Sequence, residues 1–226
     1  MITTTKAIVL SALKYKDSSL IVTCYTYDFG VQSYILHHIF KSKKGKLNPA
    51  YFQVLSQLEI QVNQKKNQTL HKISEVKLKH TYTTLQTNIY KSTVALFLSE
   101  ILQHCLKEEE QNTELYNFLE AALLWYDIHE FNANFHLLFL IKLSQHLGIY
   151  PDKNNLSQHF FYYEKDSTKI NNLKTLFGAN FDELHLIKYS AQMRQDILNE
   201  ILQYFNVHLG VFKKPKSLKI LHEVFS

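Results

Sequence analysis

The chain has 226 residues, of which 46% are apolar, 13% aromatic and 20% charged, with a formal net charge of +5. That length holds one large domain or two small ones, and only 5 Gly and 3 Pro exclude a collagen-like, low-complexity or linker-rich chain. The longest apolar-rich stretch, Phe131 to Ile141, falls short of the roughly 20 residues that span a bilayer.

The first residues, Met1 to Lys6, lack the apolar core of a signal peptide, so a cytoplasmic protein without a membrane segment is expected. Cys24 and Cys105 stand alone, without a C-x-x-C partner, which points to neither a disulfide framework nor a thiolate metal site. The total charge hides an asymmetry. Residues 1–80 hold 12 Lys and 4 acids, net +8, and residues 81–226 hold 12 Lys, one Arg and 16 acids, net −3. The N-terminal third is thus a candidate for a polyanion, and the remainder reads as a scaffold or a protein-binding surface. Arg194 is the sole arginine, so phosphate contacts in the basic third fall to lysine point charges rather than bidentate guanidinium forks, which favours backbone attraction over base-edge readout.

In chain order, the first 80 residues alternate with a period near two and are rich in Val, Ile, Thr, Tyr and Phe, the pattern of strands. Strands are predicted over Thr3–Leu13, Ser18–Tyr27, Val31–Ile39, Tyr51–Val62 and Ile73–His80, with Asp28-Phe29-Gly30 as the turn between the second and third. Along the second strand Leu20, Val22 and Cys24 share one face and Thr23, Tyr25 and Tyr27 the other. Five short strands need closure, and a Greek-key barrel of the OB type is the commonest solution at this size. An SH3-like barrel gives much the same pattern. Beyond Thr84 the period becomes 3.6. Val94, Phe97, Leu98, Ile101, Leu102 and Cys105 form one helical stripe, and Leu115, Phe118, Leu119, Ala122 and Tyr126 a second. Phe135 to Leu147 is apolar almost all round, as for a central helix, with Gly148 to end it and Pro151 beyond. Asp152–Asn180 is polar and broken by Asn pairs, which predicts an irregular segment with a short hairpin around Phe160–Tyr163. A long helix over Ser190–Leu209 and a short one after Ser217, a candidate N-cap, close the chain. The expected fold is therefore mixed β then α: a five-stranded OB-type barrel over 1–80, then an all-helical domain over 81–226.

Catalytic signatures are missing. The five glycines are too dispersed for a P-loop or a G-x-G-x-x-G turn, and no G-x-S-x-G, H-E-x-x-H or EF-hand pattern occurs. None of the 12 histidines pair at i, i+4, and His37-His38 on a strand would face opposite ways. Glu108-Glu109-Glu110 reads as a solvated run at a helix end. Asp196 and Glu200 share a helical face, but without a third ligand they are a weak basis for a hydrolase. No catalytic residue, metal or cofactor is assigned.

The strongest local feature is Phe40-Lys41-Ser42-Lys43-Lys44-Gly45-Lys46, four positive charges in a loop after the third strand. Neutralising several phosphates gives sequence-independent, salt-dependent affinity through counterion release. Lys14 and Lys16, between the first two strands, join the same surface if the loops converge. Tyr15, Tyr25, Tyr27, Tyr34 and Phe40 interleave with these lysines, and aromatic faces beside a basic groove suit unpaired bases. The candidate DNA-contacting residues are Lys14, Lys16, Tyr34, Lys41, Lys43, Lys44 and Lys46. The Lys213–Lys216 cluster is either a second phosphate contact or a charged connection. The alternative class is a protein-interaction adaptor whose barrel binds a protein partner and whose lysines only solubilise it.

These residues resemble the bacterial RecO family of recombination mediators. The resemblance begins at Lys6-Ala7-Ile8-Val9-Leu10 and runs through Tyr15-Lys16-Asp17-Ser18-Ser19, Tyr25-Thr26-Tyr27-Asp28-Phe29-Gly30 and the lysine loop to Leu47-Asn48-Pro49. It continues at Leu147-Gly148-Ile149-Tyr150-Pro151-Asp152 and ends with Tyr204, His208-Leu209-Gly210 and Lys216-Ser217. It implies an N-terminal OB fold, a helical C-terminal domain and a non-enzymatic, nucleoid-associated role in recombinational DNA repair. It also implies binding of single- and double-stranded DNA, strand annealing and loading of the RecA recombinase. The implied partners are RecR and the C-terminal tail of the single-stranded-DNA-binding protein. Lys41, Lys43, Lys44 and Lys46 match the family's basic region. One departure stands out: many relatives carry a four-cysteine zinc module after the Gly148–Pro151 stretch, whereas Asp152–Asn180 contains no cysteine and only His159, so such a site has no ligands here.

Overall fold

In a computed structural model of the chain, which describes residues 2–40, 47–64, 68–106, 110–161, 167–210 and 214–225, five strands precede the helices. They are β1 (Ile2–Tyr15), β2 (Ser19–Thr26), β3 (Gly30–Leu36), β4 (Gln57–Asn63) and β5 (His71–Leu78). They close into a barrel in the order β1-β2-β3-β5-β4, with β3 and β5 parallel and the other pairs antiparallel. This Greek-key closure is that of an OB barrel and decides between the two barrels that alternation left open. β1 is long enough to bridge the closure because it changes partner along its length. Ile2–Ile8 pair with β4 and Ala7–Tyr15 with β2, with a bulge between Val9 and Ser11. A bulge bends a strand and re-aims its side chains. Here Val9 faces the barrel interior while Ile8 and Leu10 join the core shared with the helices. The Leu10 carbonyl accepts a hydrogen bond from the Gln103 amide at 2.9 Å.

The predicted turn at 28–30 is present. Gly30 has φ +61, and the Thr26 hydroxyl donates to the Gly30 carbonyl (2.9 Å) while accepting from the Phe29 amide (3.1 Å). Two strand boundaries differ from expectation by more than two residues. The third strand stops at Leu36, so His37 and His38 lie in a turn with rings 6.3 Å apart. His38 takes φ +57, and Ile39 packs into the barrel. The fourth begins at Gln57 rather than Tyr51, because the Asn48 side chain accepts from the Ala50 amide and Pro49 starts a 3-10 turn over Pro49–Phe52.

Seven α-helices follow among the described residues: α1 (Ile89–Cys105), α2 (Thr113–Ile128), α3 (Phe135–His146), α4 (Leu156–His159), α5 (Ser167–Gly178), α6 (Ala191–Leu209) and α7 (Leu218–Phe225). Both predicted stripes on α1 and α2 turn inward, and α3 is central, with nine buried residues in 12. Gly148 (φ +70) ends α3 in a Schellman motif. The Ile149 amide reaches Ser144 (3.0 Å) and the Gly148 amide reaches Gln145 (3.2 Å). Ser217 precedes α7, its carbonyl accepting from Leu221 (2.9 Å).

The expectation of an irregular segment over 152–180 is overturned for its described residues, while the hairpin expected around Phe160–Tyr163 falls in part outside them. Residues 153–155 form a 3-10 turn, and α4 and α5 fill most of the rest. Ile170, Leu173, Leu176 and Phe177 bury one stripe of α5 while Asn171 lies exposed, so burial overrides the weak helix propensity of the Asn pair. Phe160 and Phe161 are buried, whereas Tyr162 and Tyr163 lie outside the described residues. No described helix is long and apolar enough to cross a membrane.

Candidate nucleic-acid interface

The end of β1 leaves the helices and carries the first candidates. Lys14 pairs across to Leu20 and Tyr15 to Ser19, then Lys16 turns the chain with φ +53. The turn that follows lies against the segment after β3: the Ser18 hydroxyl is 3.4 Å from His38 Nδ1, and the Ser19 hydroxyl 3.5 Å from His37 Nδ1. Lys14 Nζ consequently sits 5.9 Å from the centre of the Phe40 ring, and Lys16 Nζ sits 5.3 Å from that of Tyr15, within the range of a cation–π attraction. The structure therefore brings Lys14 to Phe40, the residue that precedes Lys41 in the sequence, and sets Lys16 beside Tyr15. Lys41, Lys43, Lys44 and Lys46 lie outside the described residues.

Tyr34 requires a correction. Its strand alternates as expected, but Gln32, Tyr34 and Leu36 are the inward set and Val31, Ser33 and Ile35 the outward one. Tyr34 is 0% exposed, within the barrel core and 6.3 Å from the His71 ring, and burial raises its phenol far above the ordinary range. It has no face to offer a base. Tyr25 and Tyr27 are also committed elsewhere. Tyr25 stacks on Tyr116 of α2 (centroids 6.2 Å) and its hydroxyl donates to the Asn112 carbonyl at 3.3 Å. Tyr27 meets Tyr116 edge-on at 5.4 Å. These rings fasten the barrel to the helices, as do Gln57, which donates to the Glu120 carbonyl (3.0 Å), and Lys79, which pairs with the Glu120 carboxylate.

No motif or periodicity points to the polar clamp on the connection between barrel and helices. Asp127 of α2, 3% exposed, accepts the amides of Thr83 (2.9 Å), Thr84 (2.8 Å) and Leu85 (2.7 Å) and the Thr83 hydroxyl (3.0 Å). Burial pushes its carboxyl up, but those hydrogen bonds outweigh it and hold the group below the usual carboxylate range. Lys91 of α1, 2% exposed, donates to the carbonyls of Asp127 (2.9 Å) and His129 (2.5 Å) and to the Thr84 hydroxyl (2.6 Å). Its ammonium thus caps the C-terminal end of α2. Burial lowers its pKa and the nearby Asp127 charge only partly restores it.

The acids that suggested a hydrolase have structural partners. Asp196 pairs with Lys169 at 2.9 Å and Glu200 accepts the Phe161 amide at 2.8 Å. Among the described residues no three His, Cys, Asp or Glu side chains converge on a metal position. Cys24 and Cys105 are not joined in a disulfide.

Comparison with known proteins agrees with this architecture. The model of the Recombination protein O N-terminal domain matches residues 1–82, and that of the Recombination protein O C-terminal domain matches residues 86–157. The chain belongs to the RecO family. It is 40% identical over 234 residues to the DNA repair protein RecO of Flavobacterium psychrophilum and to that of Flavobacterium johnsoniae, covering 98% of each chain. It is 37% identical over 238 residues to that of Christiangramia forsetii, covering all of both chains. The RecO N-terminal match spans the whole barrel. A four-cysteine zinc module of the kind noted above has no cysteine ligands in 152–180 of this chain, and the segment's one histidine, His159, faces the rings of Tyr204 (5.7 Å) and His208 (6.4 Å). The segment is held instead by Glu200 at Phe161, by Lys169 against Asp196, and by the Tyr204 hydroxyl donating to the Ile149 carbonyl at 3.0 Å.

Proposed function

We propose that this protein is a non-enzymatic DNA-binding mediator of recombinational repair that acts through the lysine-rich end of its barrel. The observation that carries this reading is Lys14 beside Phe40, the residue before the lysine-rich stretch, with Lys16 beside Tyr15, on a barrel segment of net charge +8. A basic surface of this kind neutralises backbone phosphates of either single- or double-stranded DNA and releases their counterions. Reduced repulsion between strands then promotes annealing without any bond chemistry. The relatives' naming as DNA repair proteins supports the repair setting. The same reading includes RecR and the C-terminal tail of the single-stranded-DNA-binding protein as partners of the helical region, recombinase loading as the outcome, and a cytoplasmic, nucleoid-associated location.

The test is affinity for short single-stranded DNA across salt. Binding is expected to fall steeply, roughly 10-fold or more between 50 and 200 mM salt. A flat dependence rejects the reading and favours a barrel that binds a protein.

A further inference from the structure

In OB barrels the usual ligand face is the outer side of strands β2 and β3. On this barrel that face carries Ile21, Thr23, Ser33 and Ile35, with the Thr23 and Ser33 hydroxyls 3.4 Å apart, and Leu13 and Lys72 extend the row through Ile21 and Ile35. The ring that would continue it, Tyr25, is buried under α2. Aliphatic and hydroxyl groups offer no plane on which a base can stack.

The exposed rings of the barrel lie at its end instead. Among the described residues its exposed large apolar side chains are Ile2, Leu13, Tyr15, Phe40 and Leu78, and the two aromatic ones, Tyr15 (41% exposed) and Phe40 (47%), are the two that sit beside Lys16 and Lys14. Each ring has an ammonium within 6 Å. Exposed aromatic surface is unfavourable in water, and here it lies beside Lys14 and Lys16, so the complementary occupant is an apolar plane bearing negative charge. An unpaired nucleotide has that composition. A duplex presents its phosphates but keeps its base faces stacked inside.

Resting on the DNA-binding reading above, we infer that Tyr15 and Phe40 are base-stacking residues that make this end of the barrel prefer single-stranded over double-stranded DNA, with Lys14 and Lys16 holding the flanking phosphates. The phosphate contacts serve both forms of DNA, and the rings serve only the single strand.

The test compares the full-length protein with its Y15A/F40A, Y15W/F40W and K14A/K16A variants. Fluorescence anisotropy reads binding to a short oligothymidylate and to a duplex of equal length, and circular dichroism checks the fold. Loss of the two rings is expected to weaken the single strand roughly tenfold or more and to leave the duplex little changed. Tryptophan at both positions is expected to restore single-strand affinity, and K14A/K16A to weaken both ligands. If Y15A/F40A leaves both affinities unchanged while K14A/K16A lowers them, the stacking inference falls and the electrostatic reading stands. Equal weakening of both ligands by Y15A/F40A likewise overturns it. If the unaltered protein binds neither ligand, both readings fall together.

Discussion

In the helical body, charged side chains turn inward to hold chain segments in place. Asp127 gathers three successive backbone amides, Lys91 caps the end of α2, Glu200 holds Phe161 and Glu100 accepts the Ser217 amide at 3.2 Å. At the far end of the barrel, Lys14 and Lys16 turn outward, over rings rather than onto backbone carbonyls. The contrast teaches that net charge and available charge are different quantities. The −3 of the helical body includes acids engaged in its architecture, while the +8 of the barrel includes cations placed where a polyanion reaches them. If the contrast holds, removing a charge from the body costs stability and spares DNA affinity, and removing one from the barrel end does the reverse.

The sharpest way to break this contrast is at Asp127. Replacing it with alanine leaves the amides of Thr83, Thr84 and Leu85 without their acceptor and Lys91 without its compensating charge. Urea titration is expected to show a loss of about 3–5 kcal/mol, while the folded fraction binds oligothymidylate with unaltered affinity. An equal loss of affinity would mean that the connection also shapes the DNA surface.

Acid sharpens the same contrast. His136 lies on α3 against α6 and α7, near Arg194 and His222. Burial, then the charges of Arg194 and His222, push its pKa from 6.5 down to about 3. Between those values the unfolded chain binds the extra proton. Stability is therefore complete above pH about 6.5 and declines as pH falls toward 3, by at most about 1.4 kcal/mol per pH unit. Asp127 has the same sign at lower pH: its folded carboxyl is held below the ordinary range, so its contribution is present above that range and lost as pH falls through the folded value. Urea midpoints at pH 7, 6 and 5 should decline steadily, and His136→Gln should flatten the upper part of the profile.

Much of this architecture was legible because its causes are local. Alternation along Leu20, Val22 and Cys24 reflects a barrel interior, and the stripe from Val94 to Leu102 reflects one helix against its neighbours. Alternation separates two faces without saying which is inside, and for that reason Tyr34 was placed on the wrong side. The same ambiguity hid the use of Tyr25 and Tyr27 as fasteners, since Tyr116 lies about ninety positions away along the chain. The Asp127 clamp joins residues 42–44 apart, beyond any periodic signal. Lys14 and Lys16 were visible as charges, but the place of Lys14 beside Phe40 depends on the Ser18–His38 and Ser19–His37 contacts.

A smaller effect is expected at Glu200. Its carboxylate satisfies the Phe161 amide where the backbone takes φ +51, so Glu200→Ala is expected to cost about 1–3 kcal/mol. A metal chelator, by contrast, is expected to leave the melting temperature unchanged. A chelator-induced drop would show that a bound metal, rather than the clasp from α6, secures this segment.

The least costly change to the fold is the most informative about the barrel. Lys14 and Lys16 are exposed and each adjoins a ring, so K14A/K16A is expected to change stability by no more than about 0.5 kcal/mol. If both ammonium groups contact phosphates, the slope of log affinity against log salt for a single strand becomes shallower by about 0.7 for each lysine removed. The slope isolates charge from contact area: a variant that merely disturbed the surface would shift the whole line and keep its gradient. Parallel lines for the variant and the unaltered protein would therefore remove Lys14 and Lys16 from the interface and leave the lysine loop to account for binding alone.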